Sequence, residues 1–345
     1  MTAVNLANAL KHVEVDEPAD RYCHRPFAHV LVRALLALPK MVVPTPTAIT
    51  VMSLLVGWLA AAFMWDGLAF GTVSWNGDAS DMIFDYGRST SLLAAGALMF
   101  TSIVLDCADG QLARLTGQTS QIGRFIDGIA DMLVISAYCC VTCVTHGRSR
   151  GLYGLLLAVV SCISLQQHVL YYDKARIAFE LRFQAKSLAD VRKRIAANGL
   201  DRSAILEQYA AASDVYQKAC YGLAMWYQGA LKPERVCEDA LRCWRDRGSD
   251  APAVGRTEAI VAMRLATFQG TGTHIFLWYL SMLFAAEYPQ APTLFLLFNM
   301  TVSNAFHVTV WKHCTQANLL QEPFFEVSSA IPFVIVALCL YFFAC

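Results

Sequence analysis

The chain has 345 residues, 56% of them hydrophobic and 16% charged, with 27 Lys plus Arg against 27 Asp plus Glu. A mean hydropathy of +0.43 is too high for a soluble enzyme of this length and points to a polytopic membrane protein. The even charge balance excludes the basic excess of a nucleic-acid binder, so only the distribution of charge is informative.

The N-terminus carries Lys11 and His12 among acids with no apolar run after them, so no cleavable leader is expected. An amphipathic stretch from His24 to Lys40, with Pro39 near its end, reads as an interfacial helix. The first span is expected at 47 to 65. Others follow from about Ser91 to Asp109, Phe125 to Thr145 and Gly151 to Tyr172, each close to the ~20 residues that cross hydrocarbon. The pattern then turns polar. Residues 173 to 257 are charged, with helical periodicity around the breaker Asn198-Gly199, and read as a helical insert outside the bilayer. Further spans are expected at about Gly272 to Glu287 and Pro292 to Trp311, with one more at Val327 to Ala344. The expected fold is all-α: six core spans, a seventh at the C-terminus, an interfacial helix and the insert. The corresponding divisions are 1–46, 47–172, 173–257 and 258–345. Twelve scattered cysteines, with the lone C-x-x-C pair Cys140 and Cys143 inside a span, read as small apolar side chains.

Orientation follows from Lys and Arg. Arg21, Arg25, Arg33 and Lys40 precede the first span, and the insert is rich in both residues, whereas Asp78, Asp81 and Asp85 follow that span. The N-terminus and the insert are therefore expected in the cytoplasm. Arg148 and Arg150 dissent but are outnumbered.

Residues 106 to 131 carry Asp106, Asp109, Gly110, Ala113 and Arg114, then an eight-residue spacer, then Gly123, Asp127 and Asp131. Carboxylates beside hydrocarbon are costly unless paired, hydrated or bound to metal. At helical spacing Asp106 and Asp109 share a face with Gly110 and Ala113, and Asp127 and Asp131 share one with Gly123. The spacer, with Thr116-Gly117-Gln118, predicts a tight turn between antiparallel neighbours. Four converging acids with no His or Cys suit Mg²⁺, Mn²⁺ or Ca²⁺ and not zinc. The small residues leave room for a large phosphorylated ligand, with Arg114 able to pair with phosphate.

This pattern resembles the signature of the CDP-alcohol phosphotransferases, D-x-x-D-G-x-x-A-R followed by G-x-x-x-D-x-x-x-D, matched here at all eight positions. Pro46-Thr47-Ala48-Ile49-Thr50 more weakly resembles the family's P-N-x-[IL]-T, with Thr47 in place of Asn. The resemblance implies that Asp106, Asp109, Asp127 and Asp131 bind two divalent ions, Mg²⁺ or Mn²⁺. It further implies that Asp131 is the general base and that Gly110, Ala113, Arg114, Gly123 and Thr50 contact CDP. A homodimer is implied as well, and with the Lys and Arg distribution the site is expected to face the cytoplasm from a bacterial inner membrane. The expected reaction moves a phosphatidyl group from CDP-diacylglycerol to a small polar alcohol and releases CMP. The alternatives are CDP-choline or CDP-ethanolamine with a diacyl lipid acceptor, or a cation-coupled transporter. For the acceptor, Tyr172, Asp173, Lys174 and Arg176 at the end of the fourth span are candidates, with Arg264 beyond the insert. Their residue types are equally those of interfacial anchors. His168 and His307 read as hydrogen-bonded core histidines, and His274 stands near the start of the fifth span.

Overall fold

The computed structural model describes residues 15–39, 42–69, 79–247 and 255–321, apart from the side chains of 79–87, 121, 226–227, 230 and 247. The span expected at Val327 to Ala344 lies outside the described residues. So do Lys11, His12, Lys40, Asp78 and the side chains of Asp81 and Asp85. Every element is helical. In chain order they are α1 (Arg25–Leu36), α2 (Pro46–Ala69), α3 (Ala79–Thr116), α4 (Gln121–Phe179), α5 (Leu188–Ala197), α6 (Arg202–Ala211), α7 (Val215–Leu231), α8 (Pro233–Arg247), α9 (Arg256–Ala266), α10 (Thr271–Phe284), α11 (Ala291–Phe298) and α12 (Asn304–Gln316). Short π-helical turns adjoin three of them, at Asp20–His24, Glu180–Gln184 and Asn299–Ser303.

Among the described residues, four stretches are long and apolar enough to cross a membrane: Pro46–Ala69, Arg88–Thr116, Ile122–Gln184 and Ala291–Gln316. The third has 63 residues and contains two of the expected spans. Gly151 breaks it, with φ 63° and ψ −154°. Cys162, beyond the break, is buried in one core with Cys139 and Cys143, before it, so the two limbs of α4 pack into the same cluster. A Cβ on Gly154 would come within 2.2 Å of the His146 carbonyl oxygen, which only glycine tolerates at this bend. Arg148, one of the two dissenting cations, stacks its guanidinium 5.3 Å from the Trp65 ring at the far end of α2. The ring face accounts for a cation at that end.

The helices approach closely through small and hydroxylated residues, the usual contacts between membrane helices. Ser53 and Ser102 each donate to the other's carbonyl at 2.9 Å, tying α2 to α3. A Cβ on Gly57 would lie 2.7 Å from Val134, so α4 sits directly against α2 there. Met64, Leu92, Met99, Tyr138 and Trp278 fill the core between α2, α3, α4 and α10. α1 buries Ala28 and Val32 against Ile49, Val104, Ala108 and Leu112, and leaves Phe27 and Val30 exposed.

The second limb of α4 runs on to Phe179 and its π turn to Gln184, because Ala175, Ala178, Phe179 and Leu181 remain on a buried face. That face joins Val191, Leu231, Val236 and Ala240 of the insert, and Ala259, Met263, Val310 and Cys314 of α9 and α12, in one core. The insert is therefore packed on the bundle. Its first three helices are capped by Ser187, Asp201 and Asp214, which accept from backbone N–H groups.

Candidate metal and phosphate site

The two halves of the acidic motif lie on adjacent helix ends. α3 continues seven residues past Asp109 to Thr116, so Asp106 and Asp109 are inside the helix with Gly110, Ala113 and Arg114. Gly117 ends it in the left-handed region (φ 71°), and Gln118 N–H returns to the Ala113 carbonyl at 2.9 Å. Ser120 then caps α4 by accepting from Gly123 N–H at 2.9 Å. The expected tight turn is present, and it aligns Asp127 with the α3 acids.

One carboxylate oxygen from each of Asp106, Asp109 and Asp127 falls within 4.8 Å of the others. Asp131, one turn further along α4, stands outside that group. The Asp106 carboxyl nevertheless lies within hydrogen-bonding reach of both Asp127 and Asp131. Asp109 is buried, and the other three are half-buried. Four acids this close repel one another, and apolar surroundings strengthen the repulsion, so the arrangement calls for a cation. The donor set is all carboxylate oxygen, which fits a hard divalent ion.

Thr50 takes a place that the sequence did not suggest. Its hydroxyl donates to Asp109 Oδ2, and both residues are buried. Thr50 therefore orients a candidate ligand; in the motif alone it was expected to contact nucleotide. Thr45 caps α2 by accepting from Ala48 N–H at 3.2 Å. Arg114 folds back over Gly110, whose Cβ would lie 3.4 Å from the guanidinium. A larger residue at 110 would displace Arg114 from the site.

The N-terminal segment was missed as a part of the site. Tyr172 donates to the Val15 carbonyl at 2.7 Å, Arg25 pairs with Asp16 at 2.5 Å, and Thr273 N–H donates to Glu17 at 2.9 Å. Asp20 pairs with His24 at 2.8 Å and is near enough to Asp131 to act on its charge. Gly270 and Gly272 make this docking possible, since Cβ atoms there would fall 2.0 Å from the Glu17 carboxyl and 2.2 Å from that of Asp20. Burial, reinforced by Asp20, holds the Glu17 carboxyl well above the usual carboxylate range, against the Thr273 hydrogen bond. Among the acceptor candidates, Asp173 and Arg176 pair at 3.4 Å, Arg176 lies over the Tyr172 ring at 5.8 Å, and all three interact with Glu17. Lys174 is buried on the same helix, whereas Arg264 stands exposed on α9 and is not brought to this group among the described residues. The acid run at 14 to 20 and the spacing of Gly270 and Gly272 were the available signals in the sequence.

The carboxylates of Asp106, Asp109 and Asp127, at the joined ends of two apolar helices, form a cluster that could hold a divalent cation, with Arg114 on the same helix as two of them. Residues 43–187, the stretch that contains the whole acidic motif, match the model of the CDP-alcohol phosphatidyltransferases, a family of metal-dependent transferases that act on a CDP-linked donor and an alcohol acceptor. No curated protein and no solved structure matches the chain.

Proposed function

We propose that the protein transfers a phosphatidyl group from CDP-diacylglycerol to a small polar alcohol, releasing CMP in phospholipid synthesis. The observation that carries this reading is the convergence of Asp106, Asp109 and Asp127 within 4.8 Å, on the two helices that bear the motif. These three, with Asp131, would hold two divalent ions, Mg²⁺ or Mn²⁺. Such ions, when bound, neutralise the donor's diphosphate. The chain's own residues do the rest. Thr50 fixes Asp109, and Arg114, Gly110, Ala113 and Gly123 border the space for CDP. Asp131 accepts the proton of the acceptor hydroxyl as its oxygen bonds to the phosphorus bearing the diacylglycerol. The bond from that phosphorus to the CMP oxygen breaks, and CMP departs. Asp131 sits among other acids, so proximity and alignment supply most of its effect.

Six crossings follow if α2, α3, the two limbs of α4, α10, and α11 with α12 each span the bilayer. α10 has 14 residues and sits in the core against α3, which supports counting it. The Lys and Arg distribution supports a cytoplasmic side for the site, α1 and the insert, with α1 in the interface and the insert as a cap. Tyr172, Asp173 and Arg176 border the acceptor's entry. A homodimer would be tested by crosslinking in native membranes. CMP release by purified protein with Mg²⁺ or Mn²⁺, CDP-diacylglycerol and a panel of alcohols tests the reaction. Release only with CDP-choline or CDP-ethanolamine and a diacyl lipid would reverse the lipid's role, and transport without CMP release would exclude transfer.

A further inference from the structure

A second polar cluster lies among the bundle helices, away from the acids. His168 of α4, His274 of α10 and His307 of α12 are buried to within 3% of full enclosure. The His168 ring lies 5.3 Å from that of His274, nearly parallel to it, and 4.8 Å from that of His307. Two of the rings are oriented by amides. Asn304 donates through Nδ2 to Ser164 Oγ and to the Met300 carbonyl, both at 2.9 Å, so its Oδ1 is turned to His168 Nε2, 3.0 Å away. That contact fixes the proton of His168 on Nε2. Gln269 Oε1 lies 2.9 Å from His307 Nδ1 and accepts from it.

This leaves a defined set of buried polar atoms without a hydrogen bond: His168 Nδ1, Gln269 Nε2 and both nitrogens of His274. Asn299 approaches the His274 ring, but in a geometry too poor to satisfy either nitrogen. Each buried polar atom left unsatisfied costs about 1–3 kcal/mol, so four in one cluster require an explanation. Their chemistry specifies the occupant. His168 Nδ1 can only accept and Gln269 Nε2 can only donate, while a neutral His274 offers one of each. A phosphate would find only the donors useful, and a metal ion would meet the Gln269 N–H group. A hydroxyl both gives and takes.

We infer that His168, His274 and Gln269 form a binding site for an uncharged hydroxyl-bearing ligand. The site adjoins the acceptor group, since Thr273 beside His274 holds Glu17, and Tyr172 follows His168 by one helical turn. Only the ligand's fate as an acceptor rests on the transfer reading; its binding does not. The hydroxyl can come from a lipid alcohol in the bilayer or from a soluble polyol.

Melting of the full-length protein in detergent separates these sources, with 1,2-dioctanoylglycerol as the lipid probe, myo-inositol as the soluble one, and trioctanoylglycerol, which has no hydroxyl, as control. One of the two hydroxyl probes raises the melting temperature saturably by roughly 5 °C, and the control does not. The rise persists in Asp127→Asn, which cannot turn over, and is lost in His274→Leu and in Gln269→Met. Without probe, His274→Leu melts no lower than the parent, because leucine removes two unsatisfied nitrogens at similar volume. Three results would overturn the inference: no shift with either probe, a shift that survives both variants, or a His274→Leu protein that melts well below the parent. Failure of CMP release with binding intact would refute the transfer reading alone.

Discussion

Replacing Thr50 with valine removes one hydroxyl and keeps the shape of the side chain. The hydroxyl donates to Asp109 Oδ2, and both residues are about 4% exposed, so water has little access to substitute for it. A hydrogen bond to a charged group contributes about 1.5–3 kcal/mol, and loss of such an outer-shell partner costs about 10–100-fold in metal affinity or activity. The two magnitudes agree, since about 1.4 kcal/mol is tenfold. Thr50→Val should therefore raise the Mn²⁺ concentration for half-maximal CMP release by about 10–100-fold, with a smaller change in KM for the donor. Thr50→Ser, which restores the donor, should recover most of the loss. The assay is a Mn²⁺ titration of turnover, paired with paramagnetic resonance of bound Mn²⁺. An unchanged titration in folded Thr50→Val protein would refute the argument that this hydroxyl orients a ligand.

Asp127→Asn should abolish metal-dependent turnover without lowering the melting temperature of metal-free protein, because it removes one of four mutually repelling carboxylates; turnover and melting curves on one preparation check both. Gly154→Ala should destabilise the protein by about 1–3 kcal/mol, since its Cβ meets a backbone carbonyl at 2.2 Å that cannot move aside cheaply; a lowered denaturation midpoint is the expected reading. Glu17 gives a pH signature. Its folded pKa is raised, so the folded state binds the proton more tightly than the unfolded state, and stability is lost as pH rises from the unfolded value through the folded one. Glu17→Gln keeps an acceptor for Thr273 N–H without a titrating group, so its melting temperature relative to the parent should climb with pH. A constant difference across the range would show that Glu17 does not carry this linkage.

The acidic site was legible in the sequence because its geometry is local. Asp106, Asp109, Asp127 and Asp131 lie on two consecutive helices joined by a turn whose glycine, Gly117, has the backbone conformation that the turn requires. Helical period and one hairpin were enough to bring Asp106, Asp109 and Asp127 together, with Asp131 one turn away. Thr50 is 59 residues from Asp109, and nothing local to either reveals that helix α2 carries the hydroxyl to the carboxylate. The docking of Glu17 against Thr273 spans 256 residues and depends on two glycines that look, in sequence, like an ordinary helix start. Hydropathy suggested separate third and fourth spans but could not foresee that one helix of 59 residues, broken at Gly151, contains both stretches. Nor could it foresee that the helix runs on past Tyr172. Charge marks Asp173 and Lys174 as polar, whereas the alternating burial of Ala175, Ala178 and Leu181 keeps the helix on the bundle. The three histidines illustrate the same limit, since each reads as an isolated polar residue in an apolar run until three helices place their rings side by side.

The central claim is that these aspartates serve transfer from a CDP-linked donor, and CMP is the product that no other reading yields. Purified protein in detergent, supplied with Mg²⁺ or Mn²⁺, CDP-diacylglycerol and a set of small alcohols, should release CMP in step with a new phospholipid. Chelation or Asp127→Asn should stop both. Folded, metal-loaded protein that releases no CMP from CDP-diacylglycerol, CDP-choline or CDP-ethanolamine would contradict the account.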